Sequence, residues 1–203
     1  IKMELFQQAG SFKARGAYLG IQQISEREKL KGVVAASGGN HALAVAWAAK
    51  KAGVSAKIAM PKATDEMRIN GCHALGAEVI LCRDIADAFS KMETCASDEG
   101  RTIMHPFEGR HMTLGSATCG AEFVTAHPEI DLFIIPVGGG GLISGMATAI
   151  KLIRPEAIVI GVEPYGADSM FQSLKAGTAV KLDEVNTIAD SLGSPLAMPY
   201  SYG

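Results

Sequence analysis

The sequence predicts an α/β protein built on doubly wound, mostly parallel sheets. Short apolar runs rich in β-branched residues alternate along the chain with longer stretches of helical spacing. Most of those runs are predominantly apolar, as strands covered on both faces are. The 23 glycines cluster, which points to tight backbone approaches and not to disorder.

The elements follow in order. The spacing predicts a helix over 11–26, a buried strand over 32–36 and a helix over 40–51. A strand over 56–60, closed by Pro61, leads to a helix over 64–75. Then come a strand over 78–82, a helix over 85–97, a strand over 102–105 and a helix over 112–126. Strands over 132–136 and 157–162 flank a helix over 142–153, and a last helix covers 169–175. After about Asp183 the helical pattern stops, and the chain closes with "SLGSPLAMPYSYG". No repeat, low-complexity tract or linker interrupts the alternation.

Composition excludes several functions. With 48% apolar residues the chain can bury a real core, and a net charge of −2 gives neither a nucleic-acid footprint nor a membrane-surface helix. No apolar run reaches bilayer length, and no signal peptide is visible, although the chain opens at Ile1 without a Met. Cys72, Cys82, Cys95 and Cys119 form no Cys-x-x-Cys pair and read as reduced thiols in a cytoplasmic protein.

In a doubly wound fold, ligands gather beyond the carboxyl ends of the strands, so the loops there carry the functional reading. "SGGNH", Ser37 to His41, offers two glycines and three polar side chains at a helix start, a setting that favours a carboxylate. An ordinary Asn N-cap after a glycine turn explains it about equally well. "VGGGGL", Val137 to Leu142, sets four glycines between strand and helix. A plain turn needs one or two, whereas a nest of N–H groups around a phosphate uses them all. No Lys-Ser or Lys-Thr follows, so this is not a nucleotide P-loop. "GVEP" ends a strand, where Glu163 reads as a ligand-facing carboxylate, a metal ligand or a solvated loop residue. Lys13, in "QAGSFKARGA", is an isolated lysine at a helix start. A lysine near a bound aldehyde forms a Schiff base, and the phosphate-bearing aldehyde that does so is pyridoxal phosphate.

"GSFKARGA", "SGGNHA", "PVGGGGLISG" and "GVEP", in this order and spacing, resemble the fold type II pyridoxal-phosphate enzymes, the tryptophan synthase β-like fold. The group most similar is the serine/threonine dehydratases, or threonine ammonia-lyases, and the resemblance covers essentially the whole chain. It implies that Lys13 carries the cofactor and acts as the base. Phe12 would line the cofactor ring, and Asn40 would bond its 3-hydroxyl. Gly138, Gly139, Gly140, Gly141 and Leu142 would wrap its phosphate. Ser37, Gly39, Asn40 and His41 would take the substrate carboxylate. A small mobile domain over 32–108, set in a large domain of 1–31 and 109–203, is implied as well. So are a cytoplasmic homodimer and an amino-acid substrate, with no nucleic-acid or membrane partner.

The reaction implied is α,β-elimination from L-threonine, L-serine or a related 3-hydroxy amino acid to a 2-oxo acid and ammonia. The alternatives are racemisation, β-replacement and a catalytically incomplete, non-enzymatic homologue. Departures from the family pattern bear on these. Related racemases place a basic serine where this chain has Gly38, which disfavours racemisation. Ala9 stands where the family often has Thr. The cation set of some members maps to Glu163, Ala167 and Ser169, with its Asp missing and Asp168 alongside, so no metal is expected. Family members begin earlier and run well beyond Gly203. The chain therefore reads as truncated at both ends, without the later Ser or Thr that bonds the pyridine nitrogen. Arg15 and Arg68 read as solvated, Trp47 and Cys119 as core, and His105 as a satisfied loop histidine.

Overall fold

The computed structural model describes residues 1–202, with the backbone alone at Pro199. It divides into two compact units, Ile1–Pro106 and Phe107–Gly203.

The first unit opens with two 3₁₀ turns, Glu4–Phe6 and Gln8–Gly10, and then α1, Lys13–Gln23. The predicted helix over 11–26 ends early. Ser25 is extended and starts a separate helix, α2 (Glu26–Lys31), through a reciprocal capping box with Glu28. The chain continues as β1 (Val33–Ala36), α3 (Asn40–Ala52), β2 (Ala56–Pro61), α4 (Glu66–Ala74), β3 (Glu78–Cys82), α5 (Ile85–Glu99) and β4 (Thr102–Ile103).

Four parallel strands stand in the order β3-β2-β1-β4. Val33 pairs with Ala56 on one side and Thr102 on the other, so β1 is central and wholly buried. Val33 and Ala35 face a core shared with Ile21 of α1, Ala44 and Val45 of α3 and Cys72 of α4. Val34 and Ala36 face Ala88, Met92 and Cys95 of α5. Strand order reverses between β1 and β4, and a doubly wound sheet opens its ligand crevice beyond the carboxyl ends of such a pair.

The second unit holds α6 (Arg110–Ala126), β5 (Leu132–Pro136), α7 (Gly141–Ile153), β6 (Ile158–Val162) and α8 (Ser169–Ala176). A 3₁₀ turn at Asp190–Leu192 and a short α9, Pro199–Tyr202, follow in the stretch that showed no helical pattern. Strands β5 and β6 form a separate parallel pair, Leu132 opposite Ile158. The inner residues Phe133 and Ile135 pack on Cys119, Met146 and Ile150, whereas Leu132, Ile134, Ile158 and Ile160 stay exposed.

Helices α6 and α7 meet backbone to backbone through glycine. A Cβ on Gly145 would lie 2.2 Å from the Thr113 carbonyl oxygen, and one on Gly120 would lie 2.6 Å from that of Met146. Neither neighbour is a flexible side chain, so Gly145→Ala is expected to separate the helices at a cost of about 1–3 kcal/mol. A matching fall in the denaturant midpoint, with unchanged slope, checks this.

All four cysteines are free and buried. Among the described residues no helix is long and apolar enough to cross a membrane.

Candidate active site

Lys13 is the first residue of α1, and no side chain caps the start of that helix. The side chain is half-buried. Its Nζ lies 5.0 Å from the centroid of the neighbouring Phe12 ring and donates to the Pro106 carbonyl oxygen. Among the described residues no carboxylate pairs with it, and burial lowers the amine's pKa from 10.5 to about 8. An unfolded lysine keeps its proton to about 10.4. The folded state therefore carries the burial penalty below about pH 8 and is relieved of it as pH rises towards 10.5. In cofactor-free protein, reductive methylation of Lys13 is expected to follow a midpoint near pH 8, against near 10.5 for exposed lysines. Peptide mass spectrometry across a pH series measures both.

The loop over 37–41 follows the central strand β1. The Ser37 hydroxyl accepts the Gly39 N–H at 3.0 Å, which shapes the turn. Helix α3 opens from Gly39 with no side-chain cap, which sets the Asn40 N–H at a helix start that suits an anionic ligand. The imidazole of His41 is buried, with Nε2 2.8 Å from the Met104 carbonyl oxygen. That bond occupies one ring nitrogen and ties α3 to the segment after β4.

Lys13 and His41 are thus anchored two residues apart, at Pro106 and Met104, on the segment that leaves β4. The structure brings Lys13, Phe12 and the 37–41 loop to the same end of the sheet, beside its switch point. Sequence reasoning missed the Pro106 carbonyl, since a backbone oxygen leaves no signature in residue type. It also missed Arg68, read as solvated, whose Nη1 donates to the Gly38 carbonyl oxygen at 3.1 Å.

In the second unit the glycine loop follows β5. Helix α7 opens from Gly140, at φ +84°, without a side-chain cap. Three of the four glycines have a steric reason as well. A Cβ on Gly139 would lie 2.4 Å from the Phe107 ring, one on Gly141 would lie 2.7 Å from the Phe107 carbonyl oxygen, and one on Gly140 would lie 2.7 Å from Met170 Cε. Phe107, unnoticed in the sequence, sets the shape of the loop. Leu142 is partly buried against the α6–β5 core, which leaves its backbone N–H as the group for a ligand.

Glu163 is tied into the fold and is not a solvated loop residue. Its two carboxylate oxygens accept the N–H groups of Met170 at 2.9 Å and Phe171 at 2.8 Å, capping α8. Ala167 is buried, and Asp168 accepts a bond from the Gln172 amide at 2.9 Å. Among the described residues no group of three or more His, Cys, Asp or Glu could hold a metal ion.

Two features fit pyridoxal phosphate. A desolvated lysine amine suits an aldehyde, and a glycine loop before an uncapped helix suits a phosphate. The family model for pyridoxal-phosphate dependent enzymes matches residues 1–202. The chain belongs to the pyridoxal-phosphate dependent enzyme family, and the parallel α/β architecture is that of its fold type II members.

Particular relatives narrow the comparison. The chain is 43% identical over 201 residues to a phenylserine dehydratase of Ralstonia pickettii, covering 99% of this chain and 62% of the relative. The processed form of threonine deaminase isoform 2 from Solanum lycopersicum superposes with a TM-score of 0.96 at 40% identity, over 99% of this chain and 59% of that one. Maize serine racemase superposes with a TM-score of 0.94 at 36% identity, over 98% and 60%. The chain spans about three fifths of the length of these relatives.

Proposed function

We propose that this chain is the cofactor-binding part of a hydroxy-amino-acid dehydratase. Such an enzyme converts L-threonine, L-serine or a related 3-hydroxy amino acid to a 2-oxo acid and ammonia. The observation that carries the reading is Lys13: a sheltered amine, its pKa lowered to about 8, placed at the carboxyl end of the sheet with the 37–41 loop. Dehydratases among the relatives support the reaction class.

Bound pyridoxal phosphate would supply the electron sink that lets a proton leave the substrate Cα. The residues would do the rest. Lys13 Nζ, neutral for part of the time near physiological pH, would hold the cofactor's aldehyde carbon and serve as base for the Cα proton. Phe12 would line the ring, and Asn40 would bond its 3-hydroxyl. The N–H groups of Gly138, Gly139, Gly140, Gly141 and Leu142 would receive the phosphate. Ser37, Gly39, Asn40 and His41 would orient the substrate carboxylate, His41 through its backbone N–H, since a ring nitrogen is engaged at Met104.

Closure of a small domain over 32–108, a cytoplasmic setting and a homodimer belong to the same proposal. The boundary after Pro106 separates bodies of contact; the proposed domain concerns what moves. Racemisation is the second reading, favoured by the likeness to maize serine racemase. Against it, Gly38 offers no side chain to act as a second base. Product analysis of the full-length protein with L-threonine and L-serine separates the two. The proposal expects 2-oxo acid and ammonia in equal amounts, and D-amino acid without oxo acid would overturn it.

A further inference from the structure

Thr64 lies in the turn between β2 and α4, where its N–H donates to the Pro61 carbonyl oxygen at 2.9 Å. Its hydroxyl is shielded from solvent and has no hydrogen-bond partner among the described residues. It faces Gly38: a Cβ built there would lie 2.6 Å from Thr64 Oγ1. Two neighbouring polar groups of the loop are already engaged. The Ser37 hydroxyl accepts the Gly39 N–H, and the Gly38 carbonyl oxygen accepts from Arg68. A buried hydroxyl left unbonded is costly, so it calls for a partner that the chain itself does not supply here. The absence of a side chain at Gly38 leaves this hydroxyl facing the loop that is proposed to take the substrate.

We propose that Thr64 is a substrate-positioning residue, its Oγ1–H the side-chain donor to the carboxylate of an α-amino acid seated in the 37–41 loop. This rests on the function proposed above. Hydroxyl and carboxylate suit one another, because a charge-assisted bond of this kind is stronger than one between neutral groups.

The test compares wild type, Thr64→Val and Thr64→Ser in the full-length holoenzyme. Steady-state kinetics with L-serine and L-threonine give KM and kcat. Titration with L-alanine, which has no leaving group, gives an affinity independent of turnover. The Val variant keeps the shape and loses the donor. It is expected to raise KM and weaken L-alanine binding by about tenfold, with kcat within about twofold. Cofactor absorbance should be unchanged, and Thr64→Ser should restore both affinities. Unaltered KM and L-alanine affinity in the Val variant would overturn the proposal. So would cofactor loss in both variants, which would make Thr64 a packing residue. If wild type binds L-alanine yet forms no oxo acid, the dehydratase reading fails, while the L-alanine affinities still decide the role of Thr64.

Discussion

Lys13→Ala is expected to leave a folded protein that no longer holds the cofactor covalently and whose elimination rate falls by at least about four orders of magnitude. The reason is that one amine is assigned two tasks, attachment and proton removal, and among the described residues the structure provides no second amine with its setting. The side chain donates to Pro106 and sits over Phe12, with burial lowering its pKa to about 8. The same burial predicts a gain. Lys13→Met removes an ammonium that is poorly solvated below about pH 8, so the cofactor-free variant should be more stable than wild type at pH 7. The gain is on the order of 2 kcal/mol, allowing for the part of the side chain still near water. It should shrink as pH approaches 10.5, where both forms are neutral. Denaturant titrations at two pH values, with absorbance for cofactor content, check both halves. A Lys13→Ala protein with its cofactor band and turnover intact would refute the assignment.

The second large effect is expected at Gly139. Alanine there places a methyl group 2.4 Å from the Phe107 ring, so either the ring or the loop must move. Displacement of the loop costs about 1–3 kcal/mol, or roughly 5- to 150-fold in affinity for the cofactor phosphate. Phe107→Ala opens the space and should recover part of that loss in the double variant, because the two residues are coupled by contact. Equilibrium dialysis against pyridoxal phosphate measures it. Equal losses in the single and double variants would show that Phe107 is not what makes alanine intolerable.

The sequence carried much of the fold. Strands over 78–82 and 132–136 match β3 and β5 residue for residue, because each is a short, mostly apolar run between two helical patterns. The break between α1 and α2 was missed, although "SERE" carries a capping box from Ser25 to Glu28. The helical spacing of apolar residues around it outweighed that signal. Separation into a four-stranded and a two-stranded sheet is set by pairings remote in sequence, which periodicity does not report.

The site divides the same way. Glycine clusters and polar loops after strands were legible, since residue type itself is the signal. What holds them was not. Pro106 acts through a carbonyl, Phe107 through its shape against Gly139, and Arg68 through a reach of 30 residues to Gly38. Glu163 shows the converse. A carboxylate at a strand end left a ligand-facing group, a metal ligand and a solvated loop residue open, and the structure uses it to cap α8, whose Met170 packs against Gly140.

The central claim is that Lys13 anchors pyridoxal phosphate for elimination from a hydroxy amino acid. An absorbance spectrum of the full-length protein, taken before and after L-threonine or L-serine is added, tests it most directly, with 2-oxo acid assayed in the same cuvette. The account predicts a visible cofactor band that shifts with substrate as oxo acid accumulates, and that is missing from Lys13→Ala. No band, even after pyridoxal phosphate is supplied, would contradict it.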